Sequence, residues 1–195
     1  MKNTIRACNM KATMIIVLVL LQMISLSFGQ TSKAKSNSLA GPYVCMPCGN
    51  DCDKETYDMP GECSICHMKL VARSTITFKN ISPEKLCEIM LQKPGTILLD
   101  VRTKEEFNGT SEVNYGRLKN AINIPVQELE KRMDELKPFK NKDIIVYCSH
   151  SHRSPQASYV LTQNGFSHIT NMLGGMSVWD EAVKNKECTA KLLVK

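Results

Sequence analysis

Cys148 closes the apolar run Ile144-Ile145-Val146-Tyr147 and is followed by Ser149-His150-Ser151-His152-Arg153. That polar stretch ends where Ser154-Pro155 opens a helix with Ala157, Val160 and Leu161 on one face. The order predicts a strand, a tight loop and a helix start, with the sulfur at the carboxyl end of the strand, where ligands bind in open α/β sheets. A free thiol has a pKa of about 8.5, so little of it is thiolate at neutral pH. A helix N-terminus is worth roughly 0.3–2 kcal/mol to a nearby anion, about one pKa unit at best. Arg153 adds a permanent cation five positions on. One sulfur, one guanidinium and a run of loop amides make a cradle for an oxyanion beside a nucleophile. The plain alternative is a buried structural cysteine, for which Ser-His-Ser-His-Arg is a poor lining.

A second set of reactive residues lies nearer the start. Five of the nine cysteines fall between Cys45 and Cys66, and two Cys-x-x-Cys pairs, Cys45/Cys48 and Cys63/Cys66, are separated by 14 residues. Four thiolates in two such knuckles fit a tetrahedral zinc site. Met46, Met59 and Met68 would also suit copper(I), although methionines beside a tiny core commonly serve as packing. Disulfides are the competing reading. A segment of this size, residues 43–73, has too little core to fold unaided and needs metal or disulfides.

The elements that must hold Cys148 are legible around it. Residues 75–78 form a β-branched run, and Ser82-Pro83-Glu84 opens a helix with Leu86, Ile89 and Met90 on one face, closed by Pro94-Gly95. Buried strands are expected at 96–101, 121–124, 143–147 and 168–172. A helix with Val126, Leu129, Met133 and Leu136 on one stripe follows Pro125; Met176, Trp179 and Val183 mark a closing amphipathic helix. Strands alternating with helices imply right-handed crossovers and a mainly parallel α/β sheet covered on both faces.

Asp100-Val101-Arg102, Glu105-Glu106-Phe107, Ala121-Ile122-Asn123-Ile124-Pro125, Tyr147-Cys148 through Arg153-Ser154, and Leu173-Gly174-Gly175-Met176 with Trp179 stand in the order and spacing of single-domain rhodaneses, which the chain resembles over residues 74–187. The resemblance implies a sulfurtransferase that needs no cofactor, with Cys148 carrying a persulfide between an anionic donor such as thiosulfate and a thiol or cyanide acceptor. It also implies that Ser149, His150, Ser151, His152, Arg153 and Ser154 form the substrate pocket, and that Asp100 and Arg102 brace the adjoining sheet edge, with Glu105 or Glu106 as partner of Arg102. Cysteine phosphatases and arsenate reductases place five residues between cysteine and arginine. Here four intervene, a ring better sized for sulfur than for phosphate. The chain has Ser151 where the family often has glycine, so a left-handed backbone there would be strained.

Tyr43-x-Cys45 and Gly61-x-Cys63-x-x-Cys66-His67-Met68-x-Leu70 resemble the short heavy-metal-binding domain attached to bacterial metal-efflux proteins. That resemblance points to zinc or another soft metal on Cys45, Cys48, Cys63 and Cys66. It leaves a second reading open, in which this module captures or senses envelope metal and the Cys148 loop is accessory.

Residues 1–29 have Lys2, Arg6 and Lys11, an apolar run from Met14 to Leu26, and small residues at Ser27 and Gly29. They read as a secretory signal peptide, followed by a flexible linker at 30–42; a membrane anchor arises only if the peptide stays uncleaved. The expectation is an exported, periplasmic protein. The formal charge of +6 falls to +3 without those three cations, and no basic patch interleaved with aromatics appears, so nucleic acid is not an expected partner. Cys87 is given no function, and Cys188, in the 188–195 tail, is expected to be a stray thiol, with a disulfide partner and a resolving thiol that accepts sulfur from Cys148 as the alternatives.

Overall fold

The computed structural model describes residues 41–184 and 187–195. The expected signal peptide and nearly all of the expected linker lie outside the described residues. Among the described residues no helix is long and apolar enough to cross a membrane.

Strands β1 (Tyr43–Val44) and β2 (Val71–Ala72) pair antiparallel and bracket the cysteine-rich segment. The α/β part runs β3 (Lys79–Ile81), α1 (Pro83–Gln92), β4 (Ile97–Asp100), α2 (Lys104–Asn108), β5 (Arg117–Leu118), β6 (Ile122–Asn123) and α3 (Met133–Leu136). It continues with β7 (Ile144–Tyr147), α4 (Arg153–Gln163), β8 (Ile169–Met172), α5 (Trp179–Ala182), α6 (Glu187–Leu192) and β9 (Leu193–Val194). The central sheet has the order β3-β8-β7-β4-β6, every pairing parallel. This is the rhodanese-like α/β arrangement expected from the sequence.

β7 lies between β8 and β4, and all four of its residues are buried. Its side chains alternate between two cores. Ile144 and Val146 join Leu99, Ala157 and Leu161 on one face, while Ile145 and Tyr147 join Leu86, Leu98 and Trp179 on the other. A parallel sheet covered on both faces needs such a continuous apolar strand.

Several local expectations shift. In place of a strand at 75–78, a 3-10 turn spans Arg73–Thr75 and the strand begins at Lys79. Thr75 Oγ1 donates to Ala72 O at 2.7 Å and lies 3.1 Å from the Tyr159 hydroxyl, a local side-chain bond that competes with strand pairing. The helix expected after Pro125 is regular only over Met133–Leu136, although Leu129 is buried as foreseen. Cys188 is a disulfide partner, not a stray thiol: it bonds to Cys87 of α1 across 101 residues, with the Cα atoms 5.6 Å apart. The expected tail folds, α6 packing in the Trp179 core and β9 pairing antiparallel with β5.

Candidate active site and cysteine cluster

β7 delivers Cys148 to the carboxyl edge of the sheet, and α4 begins at Arg153. The intervening loop is held by its carbonyls. Met176 N donates to Cys148 O at 2.8 Å and Ser177 N to Ser149 O at 2.9 Å. Gly175, at φ +66°, backs directly on these carbonyls, where any β-carbon would collide with the Cys148 and Ser149 backbone. The backbone N–H groups of Ser149, His150, Ser151 and His152 have no acceptor among the described residues. Together with the unpaired amides at the start of α4 they form a donor-rich turn beside the sulfur.

The Cys148 side chain is 1% exposed and belongs to the core cluster with Val146, Ala157 and Leu161, its Sγ donating to Ser154 Oγ at 3.4 Å. Ser149 and Ser151 are also buried, whereas His150 and His152 are exposed. His150 Nε2 lies 3.3 Å from the Tyr115 hydroxyl, with the two rings edge to face. Tyr115, from the stretch before β5, thus reaches the rim of the loop. Ser151 has φ +61°, the left-handed backbone anticipated at this position, and its hydroxyl is buried with no hydrogen-bond partner.

Arg153 does not stand as a free cation over the sulfur. Its Nη1 and Nη2 donate to the two Glu106 carboxylate oxygens at 2.6 and 2.8 Å, and Nη2 also donates to Ser149 Oγ at 2.6 Å. The guanidinium therefore staples the loop to α2. Glu106 has a second task in the capping box of α2, where it accepts from Thr103 N at 3.0 Å and Thr103 Oγ1 accepts from Glu106 N. The Arg153 hydrogen bonds hold its carboxyl at about 2, despite the opposing effect of burial. Thr103-x-x-Glu106 is a capping signature visible in the sequence, and it marks the residue that positions the loop arginine.

Asp100 and Arg102 form a buried pair, with Arg102 Nη2 2.6 Å from Asp100 Oδ2 and Nε bonded to both carboxylate oxygens. The expected partner, Glu105 or Glu106, is thereby corrected: residues two apart at a strand end project to the same face, and Asp100 lies closer. The same Arg102 Nη2 also donates to Gly116 O at 2.9 Å, and Asn123 Nδ2 donates to the carbonyls of Asp100 and Arg102. This network fixes the edge next to β7 and makes no contact with Cys148.

In the N-terminal module the structure groups a different set of sulfurs from the one the Cys-x-x-Cys spacing suggests. The Sγ atoms of Cys45, Cys52, Cys63 and Cys66 all lie within 4.8 Å of one another. Cys45 is 3.2 Å from Cys66 and 3.9 Å from Cys52. The 3-10 turn Asp51–Lys54 folds Cys52 back beneath Cys45, so Cys52 takes the place expected for Cys48. Cys48 Sγ lies 3.8 Å from Cys52 Sγ but does not come within 4.8 Å of every member of the group; its backbone N donates to both Asp53 oxygens at 3.0 Å and its Sγ accepts from Asn50 Nδ2 at 3.3 Å. Burial would raise the Cys63 thiol, but the N–H groups of Cys66 and Ile65 and the Tyr57 hydroxyl bring it down to about 6. Burial and the neighbouring sulfurs push Cys45 and Cys52 up. Met46 and Met68 pack in the module core, whereas Met59 is exposed.

The module rests against the α/β part. Asn80 Nδ2 donates to Pro47 O at 3.4 Å, Gly49 packs on Leu173, and Tyr159 of α4 joins the module core.

Comparison with known proteins gives this geometry a family. The profile described as "Rhodanese-like domain" matches residues 82–182. A mitochondrial protein of Schizosaccharomyces pombe, provisionally named a thiosulfate sulfurtransferase, is 32% identical over 124 residues, which cover 58% of this chain and 87% of the relative. A protein of Allochromatium vinosum named sulfurtransferase is 29% identical over 99 residues, covering 51% of this chain and 85% of its own. Among solved structures, a rhodanese-related protein from Thermoplasma volcanium shares 31% identity, covering 53% of this chain and 92% of that one with a TM-score of 0.45. The matched profile spans more than half of the chain and includes the loop that carries Cys148, and the chain belongs to the family of rhodanese-like domains.

Proposed function

We propose that the protein is an exported sulfurtransferase that carries sulfur as a persulfide on Cys148, taking it from an anionic, thiosulfate-like donor and giving it to a thiol or cyanide. The observation that carries this reading is the run of unspent loop N–H groups from Ser149 to His152 beside the Cys148 sulfur. The Cys148 thiolate attacks the outer sulfur of the donor; the new S–S bond forms as the donor's S–S bond breaks, and the electron pair departs with sulfite. Loop amides receive the departing oxyanion, and the Ser154 hydroxyl turns to donate to whichever sulfur is anionic. The acceptor then attacks the outer sulfur, and the electron pair of the broken bond returns to Cys148.

Because Arg153 is committed to Glu106, the anion is bound mainly by amides and the start of α4. This arrangement speaks against arsenate or phosphate-ester chemistry, which would call on the guanidinium directly. Export is supported by the Cys87–Cys188 disulfide, since such bonds persist in oxidising compartments, and by the leader-like composition of residues 1–29. Among envelope compartments we favour the periplasm.

Steady-state kinetics with thiosulfate and cyanide test the proposal. Parallel double-reciprocal lines and loss of turnover in Cys148→Ser support it; undiminished turnover in Cys148→Ser ends it.

A further inference from the structure

We propose that Cys45, Cys52, Cys63 and Cys66 hold a thiophilic divalent ion of the zinc class, and that Cys48 is not among its ligands. A tetrahedral site with metal–sulfur bonds of about 2.3 Å has sulfur–sulfur edges of roughly 3.8 Å. The four sulfurs already occupy that space, with observed separations of 3.2 and 3.9 Å and none beyond 4.8 Å. Small adjustments of side chains, opening the Cys45–Cys66 edge and closing the wider ones, convert the cluster into a coordination shell.

The packing explains why the module needs such a centre. Its two strands have two residues each, and the buried cluster around them is half cysteine, namely Cys45, Cys48, Cys52 and Cys63 beside Met46, Met68, Leu70 and Val71. Thiols supply little of the hydrophobic stabilisation that a core of this size requires, whereas a four-thiolate zinc centre contributes folding free energy directly. Three of the four sulfurs belong to buried residues and Cys66 is only partly exposed, so the shell is closed and has no open position for substrate. The donor set is all sulfur, which selects zinc-like soft ions over magnesium or calcium. These features describe a structural site.

The exclusion of Cys48 has its own cause. Asp53 accepts from the backbone N–H groups of Cys48 and Gly49, the latter at 2.7 Å, and from Cys48 Sγ at 3.4 Å, which holds this loop so that Cys48 Sγ meets the group at Cys52, 3.8 Å away, without coming within 4.8 Å of all four sulfurs. The same loop carries Pro47 and Gly49, which meet Asn80 and Leu173. An ion on Cys45 and Cys52 would therefore anchor both ends of the segment that docks on the α/β part.

The test is metal content and cobalt spectroscopy of the full chain, purified without a metal-affinity tag and with zinc or cobalt as the only added metal. One ion per chain is expected in the unmodified protein and in Cys48→Ser, with the same four-thiolate charge-transfer spectrum after cobalt replacement. Cys52→Ser should lose the ion on dialysis against a chelator. If Cys52→Ser fails to fold, the Cys48→Ser spectrum alone decides the ligand set. Loss of the ion or a three-thiolate spectrum in Cys48→Ser overturns the proposal, as does an unmodified protein that binds neither metal and has these cysteines joined as disulfides.

Discussion

Arg153 and Glu106, 47 residues apart in sequence, form a two-pronged ion pair at 2.6 and 2.8 Å that ties the Cys148 loop to the first turn of α2. The pair orients the loop without occupying it, because the second guanidinium nitrogen ends on Ser149 within the loop itself. The positive charge that the sequence places in the loop is thus largely neutralised by Glu106.

Breaking this pair should have a definite pH signature. The carboxyl of Glu106 is depressed to about 2 from an ordinary value of 4.5. Its contribution to stability is therefore complete above about pH 4.5 and disappears as the pH falls towards 2. Thermal unfolding of Glu106→Gln should begin at a lower temperature than the parent at pH 6–8, and the gap should close on acidification. A gap that is constant down to pH 2 would contradict the assignment.

The Asp100–Arg102 pair is buried, with side chains 0% and 1% exposed. Removing one member strands the other charge, so Asp100→Ala should lower the unfolding free energy by about 3–5 kcal/mol. Replacing both by apolar residues of similar size should recover much of the loss. Chemical denaturation of the single and double variants checks this, and equal destabilisation by both would contradict it.

Ser151 combines φ +61° with a buried, unpartnered hydroxyl. Glycine adopts that backbone without steric penalty and brings no polar group to bury. Ser151→Gly should stabilise the protein by about 1 kcal/mol, read as a higher denaturation midpoint. Destabilisation would mean that the hydroxyl makes a bond that outweighs the strain.

The Cys87–Cys188 bond closes a loop across 101 residues and fastens α6 to α1. Replacing both cysteines by serine should lower the unfolding free energy by about 2–5 kcal/mol. Reductant should lower the denaturation midpoint of the parent and leave that of the double variant in place. Equal midpoints for parent and double variant under non-reducing conditions would contradict a stabilising bridge.

What could be read from the sequence was chemistry encoded within a few positions. The strand-to-loop transition at Cys148, the left-handed backbone at Ser151, the Ser82 cap of α1 and the buried alternation of β7 are all local. Pairings that depend on tertiary placement were not legible in the same way. Spacing favoured Cys48 over Cys52, because a repeated Cys-x-x-Cys is a visible pattern, whereas the 3-10 turn that returns Cys52 to Cys45 leaves no such pattern. Cys188 lay in a segment too polar and short to suggest a helix docked on α1. Proximity in sequence pairs Glu106 with Arg102, whereas the approach of α2 to the Cys148 loop arises from the packing of the sheet.

The most direct test of the sulfur-carrier account is mass spectrometry of the protein after exposure to thiosulfate. The account predicts an added mass of ~32 Da, a persulfide, on the peptide containing Cys148. It further predicts that cyanide removes this mass with release of thiocyanate, and that Cys148→Ser never acquires it. An unmodified Cys148 peptide in a protein that still turns over thiosulfate would contradict it.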